Sequence, residues 1–383
     1  MVRIFVSCIL LLSCVVGLGA QPRVVLGIEQ LDEVLARTKG KRVAVYANNT
    51  SVLGYAHLVD LMRSLKIDIK KIFAPEHGFR GNVEDGGTVS DGVDTNSGLP
   101  VVSLYGKSSK PTPEQLADID IVVFDIQDVG TRFYTYTSSL TYLMEACAEN
   151  NKAVLLLDRP NPNSGIIDGP VMKDEFRSFV GMHPIPIAYG MTIGELALMI
   201  NGEGWLAGGK KCQLEVLPLK NWKHGDAYSL RVKPSPNLPN DHAIALYPYI
   251  CLFEGTAMSL GRGTQMPFEI LGHPDLVNQP FSFTPVSIEG MSKTPPLQDK
   301  LCHGIDLRSE PPEKKISLKH LINFYQQFPN KEKFFLPYFD KLAGNAELKE
   351  QIKQGLTEDQ IRATWQKDLD EFMLKRKKYL LYP

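Results

Sequence analysis

Short apolar runs of strand length recur through the first half of this chain, and each opens into a polar cluster. They are Arg42–Tyr46, Ile67–Phe73, Leu99–Tyr105, Ile119–Ile126 and Ala153–Leu157. Helix-patterned segments alternate with them: 27–38, 53–65, 133–150 and 191–201. In 53–65, for example, Leu58, Leu61, Met62 and Leu65 share one face. Near-continuous apolar strands alternating with helices require a parallel sheet covered on both faces, so the expected fold class is α/β. The polar clusters after the strands are Asn48-Asn49, Glu76-His77, Tyr105-Gly106, Asp125 with Gln127 and Asp128, and Asp158-Arg159. Each alone is ordinary turn or capping chemistry. Five together mark one edge of the sheet as functional, because open α/β sheets bind ligands outside the carboxyl ends of their strands.

Texture divides the rest. The first unit is expected over 21–205 and a second over 206–383, where short strands are broken by Pro234, Pro236, Pro239, Pro248, Pro267, Pro274 and Pro280. That pattern reads as a smaller α+β C-terminal domain completing a cleft. Gln213–Leu217 is one such short strand, and 357–377 is a helix with Ile361, Trp365, Leu369, Phe372 and Met373 turned inward. The stretch 202–210 contains look-alikes of two nucleotide-binding loops. Both follow a helix rather than a strand, and Lys211 stands where a phosphate loop needs Ser or Thr, so the stretch is a helix stop and turn.

The net charge of -1 excludes nucleic acid as the natural partner. Residues 1–20 form a segment apart: Arg3, then an apolar run too short to span a bilayer, then small residues up to Ala20. This is the pattern of an export signal cleaved after Ala20. Leu11-Leu12-Ser13-Cys14 offers a second reading, a bacterial lipoprotein anchored at Cys14. Six cysteines include no C-x-x-C pair. The four beyond the leader are free thiols or up to two disulfides.

Four clusters carry the chemistry. In the first, Pro75 ends a strand and Gly78 and Gly81 shape a tight loop around Glu76, His77 and Arg80. A carboxyl so placed suits general acid or base work, although a salt-bridged loop has the same composition. The second runs from Asp125 to Tyr136, with Gln127, Asp128, Arg132 and Tyr134 between them. Aromatic faces beside carboxylates, an amide and a guanidinium suit a sugar, while a capped helix with core tyrosines is the plainer reading. The third is Asp158-Arg159-Pro160-Asn161-Pro162, and the fourth comprises Asn237, Glu254 and Arg262. Glu254 is the natural second carboxylate, and Arg262 suits an anionic group. No nucleophile elbow and no H-E-x-x-H occurs. A metal site from Glu76, His77, Asp125 and Asp128 stays open, and no cofactor is expected.

Together, Pro75–Gly81, Asp125–Tyr136, Asp158–Pro162 and the Glu254–Thr256 and Gly261–Thr264 pair closely resemble the NamZ exo-β-N-acetylmuramidases, a bacterial family long known only as a domain of unknown function. The resemblance runs from about Gly27 to the end. It implies a Rossmann-like domain joined to a smaller C-terminal domain, with a cleft between them. It also implies release of terminal β-linked N-acetylmuramic acid from the non-reducing end of peptidoglycan fragments. The family's catalytic glutamate maps to Glu76. Under this reading Glu76 protonates the leaving oxygen, and Glu254 or Asp125 activates water or stabilises an oxocarbenium-like state, unless the N-acetyl group itself assists. Substrate contacts fall to His77, Arg80, Gln127, Asp128, Arg132, Tyr134, Tyr136, Asn161, Asn237 and Arg262. The lactyl carboxylate calls for Arg262, Arg132 or Arg80. The expected partners are peptidoglycan glycans or muropeptides, met in the periplasm or outside the cell. A non-catalytic muropeptide receptor and a metal-dependent hydrolase are the alternatives.

Overall fold

The computed structural model describes residues 23–76, 78–80, 91–106 and 109–383. The leader with Cys8 and Cys14, and the expected substrate contact His77, lie outside the described residues. Six strands run parallel: β1 (Val43–Ala47), β2 (Ile69–Ala74), β3 (Pro100–Ser103), β4 (Ile121–Asp125), β5 (Ala153–Leu157) and β6 (Gln213–Leu217). Their spatial order is β6-β5-β4-β1-β2-β3, with Gly92–Val93 added antiparallel on the outer edge. The chain builds outward from β1, returns, and builds outward on the other side. This is the doubly wound order of a Rossmann-like sheet. Its direction switches between β1 and β4.

Every residue of β1 and β4 is buried, and alternate side chains feed opposite cores. Ala44, Tyr46, Val122 and Phe124 enter one; Val43, Val45, Ile121 and Val123 enter the other. Helix α1 (Leu58–Ser64) covers the second face with Leu58, Val59 and Met62. Helices α2 (Tyr136–Glu149) and α3 (Ile193–Gly202) cover the first with Leu140, Leu143, Met144, Leu196 and Met199. The reciprocal Thr192–Glu195 capping box that the spacing predicts does start α3.

Three expectations need correction. The helix expected over 53–65 starts only at Leu58, because Val52–Leu53 and Ala56–His57 pair as an antiparallel hairpin before it. The first sheet does not end before 206, because β6 pairs with β5 from Gln213–Ala153 to Leu217–Leu157. At the sheet edge Gln213 and Glu215 face solvent, so this strand lacks the apolar run of its neighbours. In helix α5 (Glu358–Arg376), Ile361, Trp365, Leu369 and Phe372 are buried, but Met373 lies one step round the helix and is 42% exposed.

The C-terminal half holds helix α4 (Asp241–Ile250) and a small antiparallel sheet of β7 (Ile270–His273), β8 (Phe281–Phe283) and β9 (Cys302–Asp306). It shares a core with the first half: the cluster under α2 and α3 continues into Ile244, Phe253, Phe268, Phe324 and Trp365. Cys147, Cys212, Cys251 and Cys302 are buried free thiols. Among the described residues no helix is long and apolar enough to cross a membrane.

Two polar ties cross between the halves. Asp158, at the carboxyl end of β5, accepts from Tyr382 Oη at 2.5 Å and from Thr192 Oγ1 at 2.7 Å. Arg132, only 1% exposed, donates through Nη1 to the carbonyls of Pro170 and Ile185 and through Nη2 to those of Leu342 and Ala343, all at 2.7–2.9 Å. Gly344 makes room for it: a Cβ there would stand 2.6 Å from Arg132 Nη2. Arg132→Met should cost at least about 3 kcal/mol, since four buried carbonyls lose a charged donor. Urea unfolding checks this by a lower midpoint with an unchanged slope.

Candidate active site

The strand β2 stops at Ala74, and Pro75 and Glu76 follow it. Gly78 turns the chain with φ of 74° while its N–H bonds Pro75 O at 3.0 Å. Glu76 is thereby held at the carboxyl edge of the sheet, facing a cavity of about 320 Å³. Tyr105, which follows β3, donates to Glu76 Oε1 at 2.6 Å. Thr135, just before α2, donates to Oε2 at 3.0 Å. A hydroxyl can donate to a carboxylate or accept from a carboxyl, so both contacts hold Glu76 whichever state it occupies.

The C-terminal half supplies the opposite wall. Glu254, Arg262, Phe268 and Tyr338 line the same cavity. Arg262 donates through Nε and Nη2 to Glu254 Oε1 at 2.9 and 2.6 Å and lies 5.1 Å over the Phe268 ring. Tyr338 has its phenol pushed up by burial, then by the charges of Glu254 and, more weakly, Glu76. Phe133, Tyr134 and Tyr247 complete an aromatic wall, with edge-to-face pairs at 5.4 Å for Phe133–Tyr247 and 5.9 Å for Tyr134–Tyr247. Tyr134 Oη is fixed on Pro234 O at 2.7 Å. The cavity therefore offers two carboxylates, one cation and several ring faces.

Most of the other expected site residues are placed elsewhere. Asp125 is fully buried in a two-bonded pair with Arg159, at 2.6 and 2.9 Å, and does not line the cavity. Gln127 Nε2 is spent on the carbonyls of Asp128 and Pro160. Asp128 is buried beneath Tyr189, whose hydroxyl it accepts along with Gly130 N–H. Asn161 shapes the loop through Met191 O and Asn163 N–H. Arg80 pairs with Asp94 at 2.8 Å through two nitrogens, and Asn237 Nδ2 bonds Met291 O. Tyr136 stays beside the site without lining the cavity: its Oη accepts from Asn48 Nδ2 at 2.8 Å and donates to the backbone carbonyl of Glu76 at 3.5 Å. Arg132 is the tie described above. Of the three arginines expected to meet a lactyl carboxylate, only Arg262 lines the cavity. Among the described residues no group of three or more His, Cys, Asp or Glu gathers as metal ligands would.

Sequence reasoning missed Tyr105, Thr135, Tyr247, Phe268 and Tyr338 as cavity residues. Tyr105 and Thr135 were within reach, one ending a strand on the functional edge and the other inside the Asp125–Tyr136 motif. Tyr338 follows no strand and belongs to no motif, so nothing local marks it.

An α/β sheet whose carboxyl edge meets a second lobe across a carboxylate-bearing, aromatic-walled cleft is the build of a hydrolase for a polar, ring-shaped substrate. Comparison with known proteins narrows the class. Residues 43–242 match the N-terminal family model of the exo-β-N-acetylmuramidase NamZ, and 245–382 match its C-terminal model. The chain belongs to the NamZ family. It is 39% identical to the peptidoglycan β-N-acetylmuramidase NamZ of Bacillus subtilis, covering 94% of this chain and 92% of that protein. Two crystal structures of DUF1343 family proteins from Bacteroides fragilis share the fold. One has a TM-score of 0.88 at 45% identity over 94% of this chain and 99% of its own. The other has 0.80 at 33%, over 94% and 100%.

Asp128 carries a pH signature. Burial pushes its carboxyl up to about 6, against the Tyr189 hydroxyl and the backbone amides, and its Oδ1 has no hydrogen-bond partner among the described residues. The folded value lies above the unfolded one, near 3.9. Between them the folded state holds the extra proton, so this group's contribution to stability falls as pH rises from about 4 to 6. Asp128→Asn should remove that part of the slope, as urea midpoints measured across this range will report.

Proposed function

We propose that the chain is an exo-acting glycoside hydrolase that releases terminal β-linked N-acetylmuramic acid from the non-reducing end of peptidoglycan fragments. The observation that carries the reading is that Glu76 from the sheet and the Glu254–Arg262 pair from the second lobe line one cavity. Glycoside hydrolysis commonly needs two carboxyl groups flanking the scissile bond. Glu76, oriented by Tyr105 and Thr135, protonates the leaving oxygen. Glu254, paired with Arg262, activates water or stabilises positive charge at the anomeric carbon. Arg262 stands where the lactyl carboxylate of the muramic ring can share its guanidinium with Glu254, and the aromatic wall receives the ring faces. Asp125 is withdrawn from the second-carboxylate role, because its charge is answered by Arg159 inside the sheet edge. The export-type composition of residues 1–20 supports action on wall fragments outside the cytoplasm, in their recycling.

The test uses a chromogenic β-N-acetylmuramide with the matching β-N-acetylglucosaminide as control. The expected result is release from the muramide alone. Glu76→Gln should lower kcat by at least about a hundredfold with little change in KM. Near-normal turnover in that variant would remove Glu76 from the mechanism. Arg262→Ala should raise KM for the muramide and narrow the gap between the two substrates. Binding of muropeptide without release from either substrate favours the receptor reading.

A further inference from the structure

Gln127 and Arg159 came from the polar clusters at the strand ends, and the cleft uses neither. Both line a second cavity, of about 70 Å³, beside the switch between β1 and β4. It shares no lining residue with the cleft. The segment 230–238 separates the two: Leu230, Arg231 and Val232 face the second cavity, while Ser235 and Leu238 face the cleft. That segment is pinned by Asn49 Nδ2 on Lys233 O at 3.1 Å and by Tyr134 Oη on Pro234 O.

The polar groups of this cavity are built in. Arg159 is 5% exposed and spends Nε and Nη2 on Asp125, which leaves Nη1 without a partner among the described residues. Gln127, 4% exposed, spends its amide nitrogen on two carbonyls, which leaves Oε1. Arg231 is exposed at the mouth, with Tyr228 beside it, and makes no ion pair among the described residues. The nearby carboxylates are already answered: Asp125 by Arg159, and Glu29 by Arg23 at 2.8 and 2.7 Å. Arg231 is therefore the uncompensated charge. Leu26, Val52, Leu230 and Val232 form the apolar part of the wall.

We propose that this second cavity binds a small carboxylate of about six non-hydrogen atoms, its head group held between Arg159 and Arg231. Size sets the upper limit, since one water needs roughly 10–15 Å³ on this measure. A planar carboxylate suits two guanidinium edges. A hydroxyl or ammonium on the adjacent carbon meets Gln127 Oε1, and a short aliphatic group meets the apolar wall, as in an α-hydroxy or α-amino acid. Phosphate fits less well, because it is cradled by free backbone amides. Here the N–H groups of Asn48, Thr50, Ser51 and Val52 are all bonded within their own loop.

The test is calorimetric titration of the full chain with D-lactate, with D-alanine and with inorganic phosphate. The expected result is one saturable site for lactate or alanine, weakened about tenfold or more by Arg231→Ala and unchanged by Arg262→Ala in the cleft. Arg231 is exposed, so its variant keeps the fold. Lactate against alanine separates hydroxyl from ammonium recognition at Gln127. Absence of saturable binding by both carboxylates overturns the proposal. So does binding that survives Arg231→Ala, binding lost in Arg262→Ala, or phosphate bound as tightly as the carboxylates. None of these outcomes depends on glycosidase activity, so the proposal stands or falls separately from the hydrolytic one.

Discussion

A guanidinium buried among four carbonyl oxygens decides where the two halves of this protein meet. Arg132 reaches Pro170 and Ile185 on one side and Leu342 and Ala343 on the other. Burial pulls its pKa down to about 9, still well above neutral, so it stays charged at its post. Phe133, Tyr134 and Thr135 follow it directly and line the cleft. Tyr338 also lines the cleft, a few residues before Leu342. One side chain therefore sets the spacing between walls that must grip one substrate, and catalytic groups need positioning to a fraction of an ångström. The arginine expected to touch the ligand positions the surfaces that do.

The sequence made the sheet legible because burial on both faces leaves an unmistakable apolar run, and it made Glu76 legible because proline and glycine mark where a strand gives way to a loop. Its partners were harder to see. Asp125 meets Arg159 because β4 and β5 are adjacent in the sheet, a relation that no spacing along the chain encodes. Arg132 reads as a ligand group until Leu342 and Ala343, some 210 residues on, are brought beneath it. Charged residues at a functional edge look alike in sequence whether they face a cavity or each other. The distinction is made by long-range packing. The β6 strand was misassigned for the opposite reason: an edge position gave it the polar alternation of an ordinary surface segment.

The edge of the sheet is used twice. β2 and β3 carry Glu76 and Tyr105 to the cleft, while the loops after β1, β4 and β5 carry Thr50, Gln127 and Arg159 to the second cavity. The Asp125–Arg159 pair does for that cavity what Tyr105 and Thr135 do for Glu76: it fixes a charged group by spending some of its hydrogen bonds and leaving others.

The clasp between Asp158 and Tyr382 also bears on how the molecule is made. The carboxylate at the end of a central strand waits for a hydroxyl 224 residues further along. Closing a loop of that length carries an entropic cost before any contact repays it, and non-local contacts of this kind slow folding. The native setting of Asp158 is complete only when the last residues of the chain have docked, so the end of a sheet strand and the C-terminal segment are energetically coupled.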